Sequence, residues 1–164
     1  MRSSWVRVQA WSRHQLLLRL NAQWASKNLD SSEKLSLGGY DAVRAYPQGE
    51  AAGDQAVITT AEYAYALPFD VPGRLQVSAF IDSGTVRLND STWLGFQGAR
   101  ATLPNSYSLS GAGMGLNWTV PGNFLMNFNV AGKLGANPGR FAGGNDSDGS
   151  ASRTRWWIVI NKTL

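Results

Sequence analysis

The sequence contains no cysteine and a single histidine, His14. Without thiols there is neither a disulfide framework nor a thiolate metal site, although this leaves the compartment open. With one histidine, neither a catalytic triad nor a zinc site can be assembled by familiar means. No carboxylate pair sits in a recognisable catalytic motif, so no enzyme activity and no cofactor are expected. Charged residues make up only 16% of the chain. The basic ones are scattered (Arg2, Arg7, Arg13, Arg19, Lys27, Lys34, Arg44, Arg74 and onward) and form no patch that would read as a nucleic-acid footprint. No segment approaches the roughly 20 apolar residues of a spanning helix. After Met1-Arg2 there is no apolar stretch of the kind a signal peptide needs.

Glycine (18), tryptophan (7), phenylalanine (6) and tyrosine (5) are plentiful, and the pattern around them alternates. Period-2 alternation marks strands over 5–11, 15–25, 56–67, 74–84, 107–120, 123–131 and 153–164, the last more loosely. In 74–84, Leu75, Val77, Ala79 and Ile81 oppose Gln76, Ser78, Phe80 and Asp82. In 107–120, Ala112, Met114, Leu116 and Trp118 oppose a ladder of Gly111, Gly113, Gly115 and Asn117. In 56–67, Glu62 lies on the face opposite Val57, Ala61, Tyr63 and Tyr65.

The connections alternate as well. Short turns (12–14, 68–73, 121–122) take turns with long, polar, glycine-rich loops (28–54, 88–106, 135–152), the habit of a transmembrane β-barrel. About eleven residues at roughly 3.3 Å each, tilted near 45°, span an apolar band about 25 Å tall. Trp24, Tyr63, Tyr65, Trp118, Trp156 and Trp157 lie toward strand ends, where interfacial aromatic girdles sit. A soluble β-sandwich is the competing fold, but its strands are shorter and its connections do not sort by parity. Asn117, Asn127, Asn129, Glu62 and Asp82 suit a wet lumen. About seven strands do not close a bacterial barrel, which needs an even number of eight or more. The expectation is an all-β chain, the C-terminal part of an outer-membrane barrel or a truncated reading frame.

The stretch LGGYDAVRAYPQGEAAGD (residues 37–54) resembles the sixth extracellular loop of two-partner secretion transporters, the haemolysin secretion/activation family within the outer-membrane assembly superfamily. The shared features are Gly38-Gly39, the tetrad Val43-Arg44-Ala45-Tyr46, Gly49-Glu50 and Gly53-Asp54. A second superfamily mark, F-x-D-x-G, follows one strand later as Phe80-Ile81-Asp82-Ser83-Gly84. The resemblance implies a 16-stranded barrel in the intact protein, with periplasmic POTRA domains and an N-terminal barrel half that residues 1–164 do not include. It also implies that loop 28–54 folds inward and that its tip arginine, Arg44, meets Asp82.

The residues agree with that implication. Asp82 shares a face with Gln76 and Ser78, and an arginine fork can place two charge-assisted hydrogen bonds on a carboxylate. Glu62 is expected either to join Arg44 and Asp82 or to pair with Arg19. Ala45 departs from the family's glycine, which would strain a tip requiring positive φ. Leu164 departs from the usual terminal phenylalanine. GGNDSDGS (143–150) reads as a flexible extracellular loop rather than a calcium site, and the glycines of GAGMG (111–115) as room for another segment against the wall.

The implied function is secretion of a large, β-helix-forming exoprotein across the bacterial outer membrane. The expected partners are that exoprotein, outer-membrane lipid and the barrel-assembly machinery, with no nucleic acid. A barrel-assembly insertase shares both motifs, but the acidic run after the tetrad favours secretion. A passive porin would not need the Arg44/Asp82 pair, and a barrel hydrolase would want more than His14. A soluble β-sandwich binding module would extract without detergent.

Overall fold

The computed structural model describes residues 1–98 and 103–162, so the terminal Leu164 lies outside the described residues. Among them the chain is all-β apart from one short 3-10 turn, Ser31–Glu33. The strands are β1 (Arg2–Trp11), β2 (His14–Gln23), β3 (Leu35–Ser36), β4 (Ala52–Gly53), β5 (Gln55–Ala66), β6 (Arg74–Arg87), β7 (Ser106–Val120), β8 (Phe124–Lys133) and β9 (Thr154–Lys162). Seven of them form one antiparallel sheet in the order β1-β2-β5-β6-β7-β8-β9, open at β1 and β9. The remaining two, β3 and β4, pair with each other inside the long β2–β5 connection.

Each long strand meets its neighbour almost end to end, because hairpin turns at one end fix the register. The β1–β2 hairpin turns on Ser12-Arg13, where Ser12 takes the positive φ (53°) of a two-residue turn. The other short connections, 67–73 and 121–123, lie at the same end. At the opposite end stand the long connections after β2, β6 and β8.

Alternation gives the sheet two unlike faces. On one face Val57, Ile81, Met114, Phe128, Trp156 and Ile158 are all exposed, a continuous apolar surface. The other face carries the β2–β5 loop, and the buried core lies between that loop and the wall. Leu37, Val43, Ala45 and Tyr46 from the loop pack with Ala56, Ile58, Phe80, Val86, Leu109 and Ala131. On the loop face the wall is therefore apolar beneath the body of the loop, at Ile58, Val86 and Leu109, and polar farther down, at Gln76, Asn117 and Asn127.

Register fixes the faces of the two edge strands, and in β9 it departs from the sequence reading. In β1 the register pairs Val6 with Arg19 and Trp5 with Leu20, so Val6 and Val8 share the loop face while Arg7 lies on the apolar one. In β9, Trp156 pairs with Val130 on the apolar face, which sends Trp157, opposite Asn129, to the loop face. Trp157 is thus no part of an aromatic girdle.

Candidate functional site

The β2–β5 loop is built to arrive at the wall in one conformation. The β3–β4 pair closes its neck, and Leu37 N and Gly38 N both donate to the Glu50 carbonyl at 3.0 Å. Val43 N donates to the Leu37 carbonyl at 2.8 Å, which sets Leu37 and Val43 side by side and fully buried. Removing such side chains from water is worth roughly 1.5–3 kcal/mol each. Past Tyr46 the chain reverses over 47–50, with Gly49 (φ 82°) in the third position where a type II turn requires a positive φ.

Arg44 emerges from the tip of this loop into the wall. Its Nε donates to Asp82 Oδ2 at 2.9 Å and its Nη2 to Asp82 Oδ1 at 3.0 Å, a two-pronged pairing. The Arg44 backbone N–H adds a bond to Asp82 Oδ2 at 3.2 Å, and Thr60 Oγ1 donates to Oδ1 at 3.0 Å. Asp82 is fully buried, and these four donors replace the water it has lost. The remaining prong, Nη1, donates to Glu62 Oε2 at 2.8 Å, and the guanidinium lies over the Phe80 ring. Burial alone would lower the Arg44 pKa; the hydrogen bonds it donates to Asp82, then Glu62, and the charges of those carboxylates outweigh it and hold the group above its ordinary value. Trp157 Nε1 closes the far side, donating to the Arg44 carbonyl at 2.8 Å.

Glu62 therefore pairs with Arg44 and not with Arg19. Arg19 lies on the same face and makes no ion pair among the described residues. Both line a polar recess of about 170 Å³ at the loop tip, with Tyr40, Asp41, Asn117 and Asn129.

The wall is carved to receive the loop. A Cβ on Gly84, the last residue of F-x-D-x-G, would stand 2.8 Å from Leu37 Cδ2, and one on Gly111 would stand 2.5 Å from Ala45 Cβ. The strain expected for alanine at 45 does not arise. Among the described non-glycine residues only Ser12 and Ala51 have positive φ, and the Ala45 methyl sits over Gly111.

The acidic residues after the tetrad fasten the loop to its neighbours. Glu50 is 1% exposed and accepts from Asn137 Nδ2 at 3.0 Å and Ser147 N at 2.7 Å, both in the β8–β9 connection. Asn137 Nδ2 also reaches Asp146 Oδ1 at 3.1 Å, and Asp146 pairs with Lys133 and Arg155. Asp146 is nearly inaccessible, so the GGNDSDGS segment is anchored at this point rather than free. Asp54, fully buried, accepts from Leu29 N at 3.1 Å and Asp90 N at 2.8 Å and pairs with Lys34, tying the loop to the β6–β7 connection. Of the loop glycines, Gly38 and Gly53 pass close to Glu50 and Val86, and Gly39 has φ 140°.

The sequence reading missed Thr60, Asn137 and Trp157. Thr60 shares the face of Glu62 by alternation but carries no motif that would give it a role, and nothing in the sequence links Asn137 to Glu50 across 87 residues.

The arrangement holds a segment still. The family described as haemolysin secretion/activation protein ShlB/FhaC/HecB matches residues 2–118, which include both the loop and the strand motif. Among curated proteins, the heme/hemopexin transporter protein HuxB of Haemophilus influenzae (strain 86-028NP) is 29% identical over 145 residues, 88% of this chain and 23% of that protein. HuxB of Haemophilus influenzae strain ATCC 51907 / DSM 11121 / KW20 / Rd is 28% identical over the same share. The chain spans about a quarter of the length of the curated relatives it matches.

Proposed function

We propose, from the fact that this chain belongs to the haemolysin secretion/activation protein family, that it forms the loop-bearing wall of an outer-membrane transporter for a secreted exoprotein. In this reading the apolar face meets lipid, the loop face lines the lumen, and the seven strands belong to a larger barrel of 16 preceded by POTRA domains. The cargo is a β-helix-forming partner protein. The heme/hemopexin in the names of the relatives marks one cargo system worth trying first.

The observation that carries the reading is the docked loop. Arg44 is held on Asp82 by three hydrogen bonds, with Leu37, Val43 and Tyr46 packed behind it. A protein conduit must keep its lumen shut between substrates, and an inward segment fixed this firmly does that. Arg44 and Asp82 act as the lock, Glu62 as its third member, and Glu50 and Asp54 as stays that keep the loop's base in place when the lock opens. The assembly machinery that inserts the barrel and the surrounding lipid are the other partners.

Charge reversal tests this. In the full-length transporter with its cognate exoprotein, Arg44→Glu and Asp82→Arg are each expected to lower the amount of exoprotein in the medium by about tenfold, the effect of ~1.4 kcal/mol. The double reversal is expected to recover part of that loss. Wild-type secretion from both single variants, with barrels correctly inserted, would sink the proposal.

A further inference from the structure

A carboxylate pair neutralised by a cation from a movable loop poses a problem. If the tip withdraws, Asp82 and Glu62 remain behind on adjacent strands with their shared counter-ion gone. Uncompensated carboxylates beside an apolar wall are costly.

The sheet register shows what stands ready. Arg19 on β2 lies directly opposite Thr60 on β5, and Thr60 lies directly opposite Asp82 on β6, so the three share one row on the loop face. Glu62 is two residues along β5 from Thr60, diagonal to Arg19, a spacing that long side chains bridge. Arg19 and Glu62 line the same recess beneath the loop tip. Yet Glu62 is engaged by Arg44 Nη1 at 2.8 Å, and Arg19 has no ion pair among the described residues. The other carboxylate facing the recess, Asp41, belongs to the loop and would depart with it.

We propose that Arg19 is a stand-in counter-ion, taking Glu62 when Arg44 withdraws, so that Glu62 exchanges one arginine for another as the loop leaves. The exchange leaves only Asp82 without a charged partner when the loop is away, and so lowers the cost of undocking. It makes Arg19 a positioning residue for the undocked state, silent while the loop is in place. This rests on the reading above that the tip can leave the wall.

The experiment uses the full-length polypeptide in outer membranes without cargo. It reads two quantities: the rate of protease cleavage within the loop, and the temperature at which the folded form disappears in semi-native electrophoresis. Arg44→Ala is expected to speed cleavage about tenfold while the barrel stays folded. Arg19→Gln alone is expected to change neither quantity. In the double variant the melting temperature should fall by at least about 5 °C more than the sum of the singles. Adding Glu62→Gln, which removes the charge needing a partner, should return it to the Arg44→Ala value. If the double variant does not fold at all, recovery of folding by Glu62→Gln is the expected result. Additive effects, or no recovery with Glu62→Gln, would overturn the proposal. Because no cargo is present, that failure differs from failure of the transport reading, which would appear as undiminished secretion.

Discussion

Trp157 donates its indole N–H to the main-chain carbonyl of Arg44, the residue whose side chain is held by Asp82. The loop tip is thereby gripped from β9 and from β6, strands separated by two others. A neutral hydrogen bond of this kind contributes about 1 kcal/mol. Trp157→Phe keeps an aromatic ring near Tyr40 but removes the donor. Protease cleavage of the loop is expected to rise about fivefold, with little change in barrel melting. An unchanged cleavage rate would show that Asp82 alone fixes the tip.

The fit of Ala45 over Gly111 predicts a paired substitution effect. Gly111→Ala brings two methyl groups to 2.5 Å, and relief of that overlap costs ~1–3 kcal/mol. Ala45→Gly alone costs less, about 0.4–1 kcal/mol through added freedom in the unfolded chain. Combined, the two should cost less than their sum, because the glycine at 45 gives the new methyl room. A strictly additive double-mutant cycle would mean the loop is not seated against β7.

Replacing Glu50 should loosen both long loops at once. Glu50→Ala leaves Ser147 N without its acceptor and Asn137 Nδ2 with Asp146 alone, at ~1–3 kcal/mol in all. Glu50→Gln is no cure, since one side-chain oxygen becomes a donor aimed at another donor. Hydrogen exchange at the Ser147 amide is the direct measurement: protection should drop in both variants. Full protection in Glu50→Ala would show that the β8–β9 connection holds itself.

Tyr46 yields a prediction at high pH. Burial, followed by the nearby Asp146 and Glu50 charges, pushes its phenol up to about 12 from the ordinary 10.0. A group with a raised folded pKa contributes stability that is complete below the unfolded value and is lost as pH rises through the folded one. The Tyr46 contribution should therefore be intact below pH 10.0 and disappear as pH rises through about 12. The Tyr46 hydroxyl has no hydrogen-bond partner among the described residues, so Tyr46→Phe should be neutral or slightly stabilising at pH 7 and should remove this part of the alkaline loss. Ultraviolet titration of phenolate absorbance would show one late step missing in the variant.

The sheet could be read from the sequence because alternation is a local signal, written in every pair of neighbours. Leu75, Val77, Ala79 and Ile81 announce one face of β6 whatever the rest of the chain does. Trp157 shows where this fails: in β9 both faces are apolar, with Ile158 and Ile160 on one and Trp157 and Val159 on the other, so parity is hidden. The meeting of Arg44 with Asp82 came from resemblance of motifs. Alternation alone gave only that Asp82 shares a face with Gln76 and Ser78. The Glu50–Asn137 contact left no trace, because a buried polar pair 87 residues apart has no periodicity to betray it.

The distances along the chain between the loop and what holds it set an order of events. Arg44 and Trp157 are 113 residues apart, and Glu50 lies 97 residues before Ser147. Neither contact can exist until β9 and the connection before it have been made. Closing so long a span costs little more than closing a short one, but it must wait for its partner. The hairpins, whose contacts are local, can zip one after another while the loop hangs undocked with Leu37, Val43 and Tyr46 exposed. For this protein the loop of residues 28–54 completes its docking only once β9 and the connection before it have formed, and until then part of its apolar surface needs a chaperone.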